Sequence, residues 1–187
     1  MAVKSNLKNM ALCLFAICFV CSALLAGVYA VTAEPIAKAE KIQLENSIKA
    51  VLPEGGELST VKTVDAGGST YEYYESVEAG TPAAYAIKST VVGFGGPLSI
   101  MVGIKADGTI YNTSVLSHSE TPGLGAKCDE KGSGFRAQFQ GFDPSTKKLA
   151  VKKDQGDVDA ITASTITSRA YTKAIANAVE AFNTITK

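Results

Sequence analysis

The hydrophobic and polar positions divide this chain into three regimes. From Met10 to Ala33 no residue is charged, and the stretch Ala11-Leu12-Cys13-Leu14-Phe15-Ala16-Ile17-Cys18-Phe19-Val20 is apolar on every side. A helix needs about 20 such residues to cross the hydrocarbon core, so one membrane span is predicted over 10–33, after a short segment 1–9. Ile42, Leu44, Ile48 and Val51 then recur among Lys and Glu, which reads as a charged helical stalk over 34–52 ending at Pro53-Glu54-Gly55-Gly56. From Leu58 the pattern shortens to strand-like runs at 61–64, 70–74, 84–90, 98–104 and 110–116, with Asp107-Gly108 as a hairpin signal. Leu149 to Lys153 reads as a last strand. Finally Tyr171, Ala174, Ile175, Ala178, Val179, Phe182 and Ile185 recur at the three-and-four spacing of an amphipathic helix.

Connections this short favour antiparallel pairing, and the strands precede the main helix. The predicted class is therefore α+β: one N-terminal transmembrane helix, then one compact domain over 53–187 with an antiparallel sheet and a C-terminal amphipathic helix. About 135 residues beyond the stalk suffice for one core, without a second domain. Lys4 and Lys8 precede the span and Glu34 follows it. The positive-inside rule then gives a single-pass protein of the inner (cytoplasmic) membrane, its N-terminus cytoplasmic and its C-terminal domain extracytoplasmic, on the periplasmic side. A cleavable signal peptide ending near Val28-Tyr29-Ala30 is the rival, but the apolar run exceeds the roughly 7–15 residues of a signal core, which favours a retained anchor.

Charge and cysteine usage narrow the function. Without Lys4 and Lys8 the chain has 16 basic against 18 acidic residues, with no basic stripe interleaved with aromatics, so nucleic acid is not an expected partner. Cys13, Cys18 and Cys21 fall inside the span, leaving Cys128 alone beyond it and no intrachain bridge for the domain. Cys128 reads as a small buried residue or as a contact to a ligand or a second chain. No cluster of His, Cys or Asp has metal-ligand spacing, and no metal is expected.

The chemistry concentrates in Asp159-Ala160-Ile161-Thr162-Ala163-Ser164-Thr165-Ile166-Thr167-Ser168, hydroxyls laid across the start of the last helix. At a helix N-terminus the first N–H groups lack partners and the dipole is positive, so a phosphate can be held there without a cationic side chain. Equally, Thr162, Ser164, Thr167 and Ser168 can simply compete for the N-cap. A second constellation, His118-Ser119-Glu120-Thr121-Pro122-Gly123-Leu124-Gly125, is a turn with a fixed φ at proline and glycines that admit close approach of a flat ligand. Gly95 and Gly96, in Gly93-Phe94-Gly95-Gly96-Pro97-Leu98, offer the same. His118 can hydrogen-bond a ligand carbonyl or carry protons, and it can equally be a satisfied loop residue.

Asp159-x-x-Thr162-Ala163-Ser164-Thr165 resembles the Asp-x-x-Ser/Thr-Gly-Ala-Thr motif of FMN-binding domains in Rnf and Na+-translocating NADH:quinone reductase complexes. His118 to Gly125 resembles their His-x-Glu-Thr-Pro-Gly-Leu-Gly segment at every specified position, and Gly93 to Leu98 their Gly-Tyr-Gly-Gly-Pro-Ile strand. Ala163 stands where the family usually has Gly, and Ser164 where it usually has Ala. In compact length the chain is most similar to the family of FMN-binding G subunits of Rnf complexes, related to the longer C subunits of the quinone reductase.

The resemblance implies covalent FMN in a phosphoester to the Thr165 oxygen, installed by a separate flavin transferase that uses FAD. Thr165 would be an attachment point, with no catalytic residue in the chain. Thr162, Ala163, Ser164, Thr167 and Ser168 would surround the phosphate. His118, Glu120, Thr121, Pro122, Gly123, Leu124, Gly125, Gly95 and Gly96 would face the ring. The implied role is electron carrier among the other membrane and iron–sulfur subunits of a complex coupling ferredoxin:NAD electron transfer to Na+ or H+ movement. Two alternatives from other classes stand beside it. One is a membrane-anchored module that binds flavin or another ligand non-covalently, or serves assembly. The other is a secreted hydrolase with Thr165 as nucleophile, for which His118 would have to reach the hydroxyl.

Overall fold

The structure, a computed structural model, describes residues 6–130 and 133–187. It divides into two compact units, one ending at Gln43 and one spanning Leu44–Lys187. Helix α1 (Leu7–Val51) supplies nearly all of the described part of the first unit and runs unbroken for 45 residues through Pro35. At 1.5 Å per residue it is about 68 Å long, more than twice the ~30 Å hydrocarbon core. By length and composition it is the one helix among the described residues able to cross a membrane. Residues 34–51 of the expected stalk thus belong to this same helix.

The second unit is built on an antiparallel sheet. Its strands are β1 (Glu57–Leu58), β2 (Lys62–Ala66), β3 (Ser69–Glu78), β4 (Thr81–Val92), β5 (Pro97–Lys105) and β6 (Ile110–His118). The order is β1-β3-β4-β5-β6, with β2 also paired to β3. The predicted strands at 84–90, 98–104 and 110–116 lie inside β4, β5 and β6. On β5, between β4 and β6, both faces are at work. Leu98, Ile100, Val102 and Ile104 join one apolar cluster, while Met101 joins another.

Helix α2 (Thr165–Ile185) covers the first face with Tyr171, Ala174, Ile175, Ala178 and Phe182, all buried as their spacing predicts. Each large apolar side chain so buried contributes about 1.5–3 kcal/mol. Phe135, Phe139 and Phe142 close the same core around Tyr171, with Phe135 and Phe139 centroids 5.2 and 5.3 Å from its ring. The Tyr171 hydroxyl donates to Thr113 Oγ1 at 2.8 Å, and burial pushes its pKa up to about 12. Leu149 to Lys153 forms no strand. Val151 makes a single parallel bridge to Val158, and the chain turns at once into a 3₁₀ turn over Lys152–Asp154.

The opposite face is covered by the end of α1. Ile48, Val51 and Leu52 bury themselves against Ala84, Ala86 and Met101. Small residues let the helix approach the sheet closely. A Cβ built on Gly103 of β5 would fall 1.7 Å from the Val51 carbonyl oxygen. Because that neighbour is backbone, relief requires moving the helix end. Gly103→Ala is therefore expected to cost about 2 kcal/mol, read as a lowered midpoint in urea unfolding followed by far-UV circular dichroism. A wild-type midpoint would show that the helix end is not held in this position.

Candidate functional site

Three loops meet at the N-terminus of α2: the β4–β5 loop at Phe94, the segment after β6 from Glu120 to Gly125, and the turn Ala163-Ser164 that feeds the helix. They enclose a cavity of about 330 Å3 lined by Phe94, Glu120, Thr121, Leu124, Gly125 and residues 163–167. That volume is at the low end of small-ligand sites. Phe94, Leu124 and Ile166 are 65, 44 and 53% exposed and give the rim an apolar character.

Glu120 joins the three loops. It is 5% exposed, and its Oε1 accepts the Phe94 N–H at 2.8 Å and the Gly95 N–H at 3.4 Å. Its Oε2 accepts the Thr167 hydroxyl at 2.7 Å. Glycines sit on both sides of this carboxylate, and a Cβ on Gly93, 2.1 Å from Oε1, or on Gly125, 2.5 Å from Oε2, would push it off its partners. Gly95 is just as constrained, its Cβ position 2.0 Å from the Ser119 carbonyl oxygen. The glycines thus permit close packing of the protein on itself. His118 supports the same corner, its Nδ1 accepting the Glu120 N–H at 3.1 Å.

The hydroxyl run sorts into separate jobs. Ser164 occupies the N-cap position, yet its side chain makes no cap bond. Ser168 Oγ instead accepts the Ile161 N–H at 2.9 Å and donates to the Ser164 carbonyl at 3.0 Å, tying the incoming turn to the helix. Thr167 serves Glu120. Thr165, the first helical residue, is half-buried on the cavity wall, and the described contact of its Oγ1 is the Lys153 Nζ at 3.4 Å. Its hydroxyl is thus left available, beside helix N–H groups that have no intrahelical partners.

The preceding turn closes with the Ser164 N–H on the Ile161 carbonyl, and its third residue, Ala163, has φ +60°. Glycine takes that conformation at no steric cost, whereas an alanine is strained. Ala163→Gly is expected to stabilise the chain by about 0.5–1 kcal/mol, the relief of strain being partly offset by the freer unfolded chain. A rise of about 3 °C in Tm by calorimetry would register it, and a fall would mean the turn is not held as described.

The sequence shows which proteins share this arrangement. The chain is 37% identical to the G subunit of the ion-translocating oxidoreductase complex of Shewanella baltica, over 92% of this chain and 86% of that one. The chain belongs to this family, the G subunits of ion-translocating oxidoreductase complexes. The FMN-binding domain family matches residues 93–180, which contain every wall of the cavity, and the RnfG N-terminal region matches residues 1–51. The G subunit of the proton-translocating ferredoxin:NAD(+) oxidoreductase complex of Clostridium ljungdahlii is 33% identical over 90% of this chain and 88% of its own. The C subunit of the Na(+)-translocating NADH-quinone reductase of Parabacteroides distasonis, a solved structure, is 25% identical with a TM-score of 0.49, covering 63% of each chain.

Of the residues singled out from the sequence, Glu120, Thr121, Leu124, Gly125, Ala163, Ser164, Thr165 and Thr167 line the cavity together. Thr162 lines a neighbouring cavity of about 470 Å3 instead, with Asp159 and Gln138. Ser168, His118, Pro122, Gly123, Gly95 and Gly96 lie outside the lining, and several of them shape the loops from behind. Phe94 and Ile166 are cavity residues that the motifs alone did not assign. Their signal was an aromatic and a branched apolar residue set among glycines and hydroxyls, where nothing in a local pattern calls for burial. Phe135, Phe139 and Phe142 are buried in the core. Cys128 is fully buried, and burial pushes its thiol up to about 12. It is expected to resist maleimide until the chain is unfolded, and rapid labelling of the native domain at that residue would contradict this packing.

Proposed function

We propose that this chain is a membrane-anchored electron-carrying subunit of an Rnf-type complex, with FMN bound at the cavity on α2 and joined through its phosphate to the Thr165 oxygen. The observation that carries the reading is the Thr165 hydroxyl, half-exposed at a helix N-terminus on the wall of an apolar-rimmed cavity. The donor set fits the group. The open first turn of α2 suits a phosphate, while Phe94, Leu124 and Ile166 suit a flat aromatic ring. Bound there, the flavin supplies one- and two-electron redox chemistry.

The residues of the chain do the rest. Glu120 fixes the loop carrying Phe94 against the helix start, so the rim and the attachment point hold one spacing. Leu124 and Ile166 exclude water from the faces they cover and lower the local dielectric. Thr165 acts as a tether, which removes dissociation in a compartment without a ready supply of free FMN. In this reading segment 1–9 is cytoplasmic, 10–33 crosses the membrane, 34–52 leads away from it, and the domain at 53–187 is extracytoplasmic. The partners are the membrane and iron–sulfur subunits of a complex that couples ferredoxin:NAD electron transfer to Na+ or H+ movement, with a flavin transferase for maturation.

The test is mass spectrometry of the full chain co-expressed with a flavin transferase active on a control substrate. After denaturation the reading requires a gain of FMN less one water, mapped to residue 165. An unmodified chain that still copurifies with flavin would support non-covalent binding.

A further inference from the structure

The loop Lys148–Val158 is fastened down at several points. Val151 and Val158 are fully buried and bridged to each other. Arg169 of α2 grips Asp154 with a two-pronged contact, Nε to Oδ2 and Nη2 to Oδ1, both 2.7 Å. That guanidinium holds the Asp154 carboxyl below the ordinary carboxylate range, so the grip weakens only as pH falls through that lowered value. Lys152 pairs with Asp159 at 2.8 Å. The cations on either side are thus neutralised by carboxylates. Lys153 makes no such ion pair among the described residues: it feels the Asp154 charge only at longer range, and its ammonium is directed to Thr165 Oγ1 at 3.4 Å.

A cation whose hydrogen bond is to a single hydroxyl has an electrostatic use if that hydroxyl acquires a phosphate. The geometry points to Lys153 as the residue that binds this phosphate, an inference resting on the reading of Thr165 as the attachment site. In the maturation step the Thr165 oxygen forms a bond to the FMN phosphorus of FAD. The anhydride bond to AMP breaks, AMP leaves with the electron pair, and the hydroxyl proton passes to a base of the transferase. No electron is gained or lost overall. The product is a phosphodiester carrying one negative charge beside Glu120, and Lys153 is the cation placed to balance it. Lys153 donates to the phosphate oxygens as the new bond forms, and the Asp154–Arg169 grip keeps it at that distance.

The experiment follows flavinylation of the detergent-solubilised full chain with FAD and catalytic transferase, by intact mass. Wild type, K153Q, K153R, K153E and T165V are compared at low and high salt. K153Q is expected to lower kcat about fivefold with KM for the acceptor chain unchanged, and K153E to lower it further. K153R should restore most of the rate, and the differences should shrink as salt rises. A K153Q rate equal to wild type at low salt overturns the inference. So does a change confined to KM, which would make Lys153 a docking contact for the transferase. If the T165V chain gains the same FMN mass as wild type, the attachment reading itself has failed. If it gains none while K153Q matches wild type, only the role of Lys153 has failed.

Discussion

Thr165→Val is expected to give a folded, full-length chain that carries no covalent flavin when co-expressed with an active transferase. Valine keeps the branched shape of threonine and removes only the oxygen. Both residues tolerate the first helical position, and Thr165 makes one long contact to an exposed lysine, so stability should stay within about 0.5 kcal/mol of wild type. The effect on attachment, by contrast, is all or none, because no other atom at that position can form the ester. Thr165→Ser keeps the oxygen and should retain label. In-gel flavin fluorescence after denaturation, with peptide mass mapping, reads both variants. A valine chain labelled as fully as wild type would place the attachment elsewhere, with Thr162, Ser164 and Thr167 the next hydroxyls to examine.

Glu120→Ala is expected to cost about 3–5 kcal/mol, a large share of a marginal folding free energy. The substitution removes both acceptor oxygens at once. It strands the buried Thr167 hydroxyl and the Phe94 N–H, and buried donors without partners cost about 1–3 kcal/mol each. It also leaves a void between Gly93 and Gly125, neither of which has a side chain to fill it. Glu120→Gln is the informative companion. Its carbonyl oxygen can accept from Phe94 while its NH2 donates to the Thr167 hydroxyl, which can turn to accept. It should cost about 1 kcal/mol. Urea unfolding followed by circular dichroism measures both. If the alanine variant unfolds at the wild-type midpoint, Glu120 does not hold the three loops together.

Much of the architecture was legible from local pattern. The long apolar helix follows from an uncharged run longer than the hydrocarbon core. The buried face of α2 follows from its three-and-four spacing, and the strands around 84–116 from short runs bounded by turn residues. These are readable because periodicity is a property of neighbouring residues. The false strand at 149–153 shows where that stops: Val151 is buried, but Lys148, Asp154 and Asp157 are engaged by the loop's own backbone and by Arg169 instead of a strand partner. Close approach was also legible at Gly95, where the Ser119 carbonyl oxygen packs against the glycine.

By itself the sequence determined the apolar helix, the α+β class, the amphipathic helix and, through two long motifs, family membership. Only the tertiary structure decided how the motifs work together. Glu120 reaches Phe94 across 26 positions and Thr167 across 47, and no local pattern encodes a hydrogen bond at that separation. The placing of Lys153 on Thr165 also had to await the folded chain. The Glu120 bonds depend on where distant segments are pinned by the core, so they exist only once β4, β6 and α2 have packed.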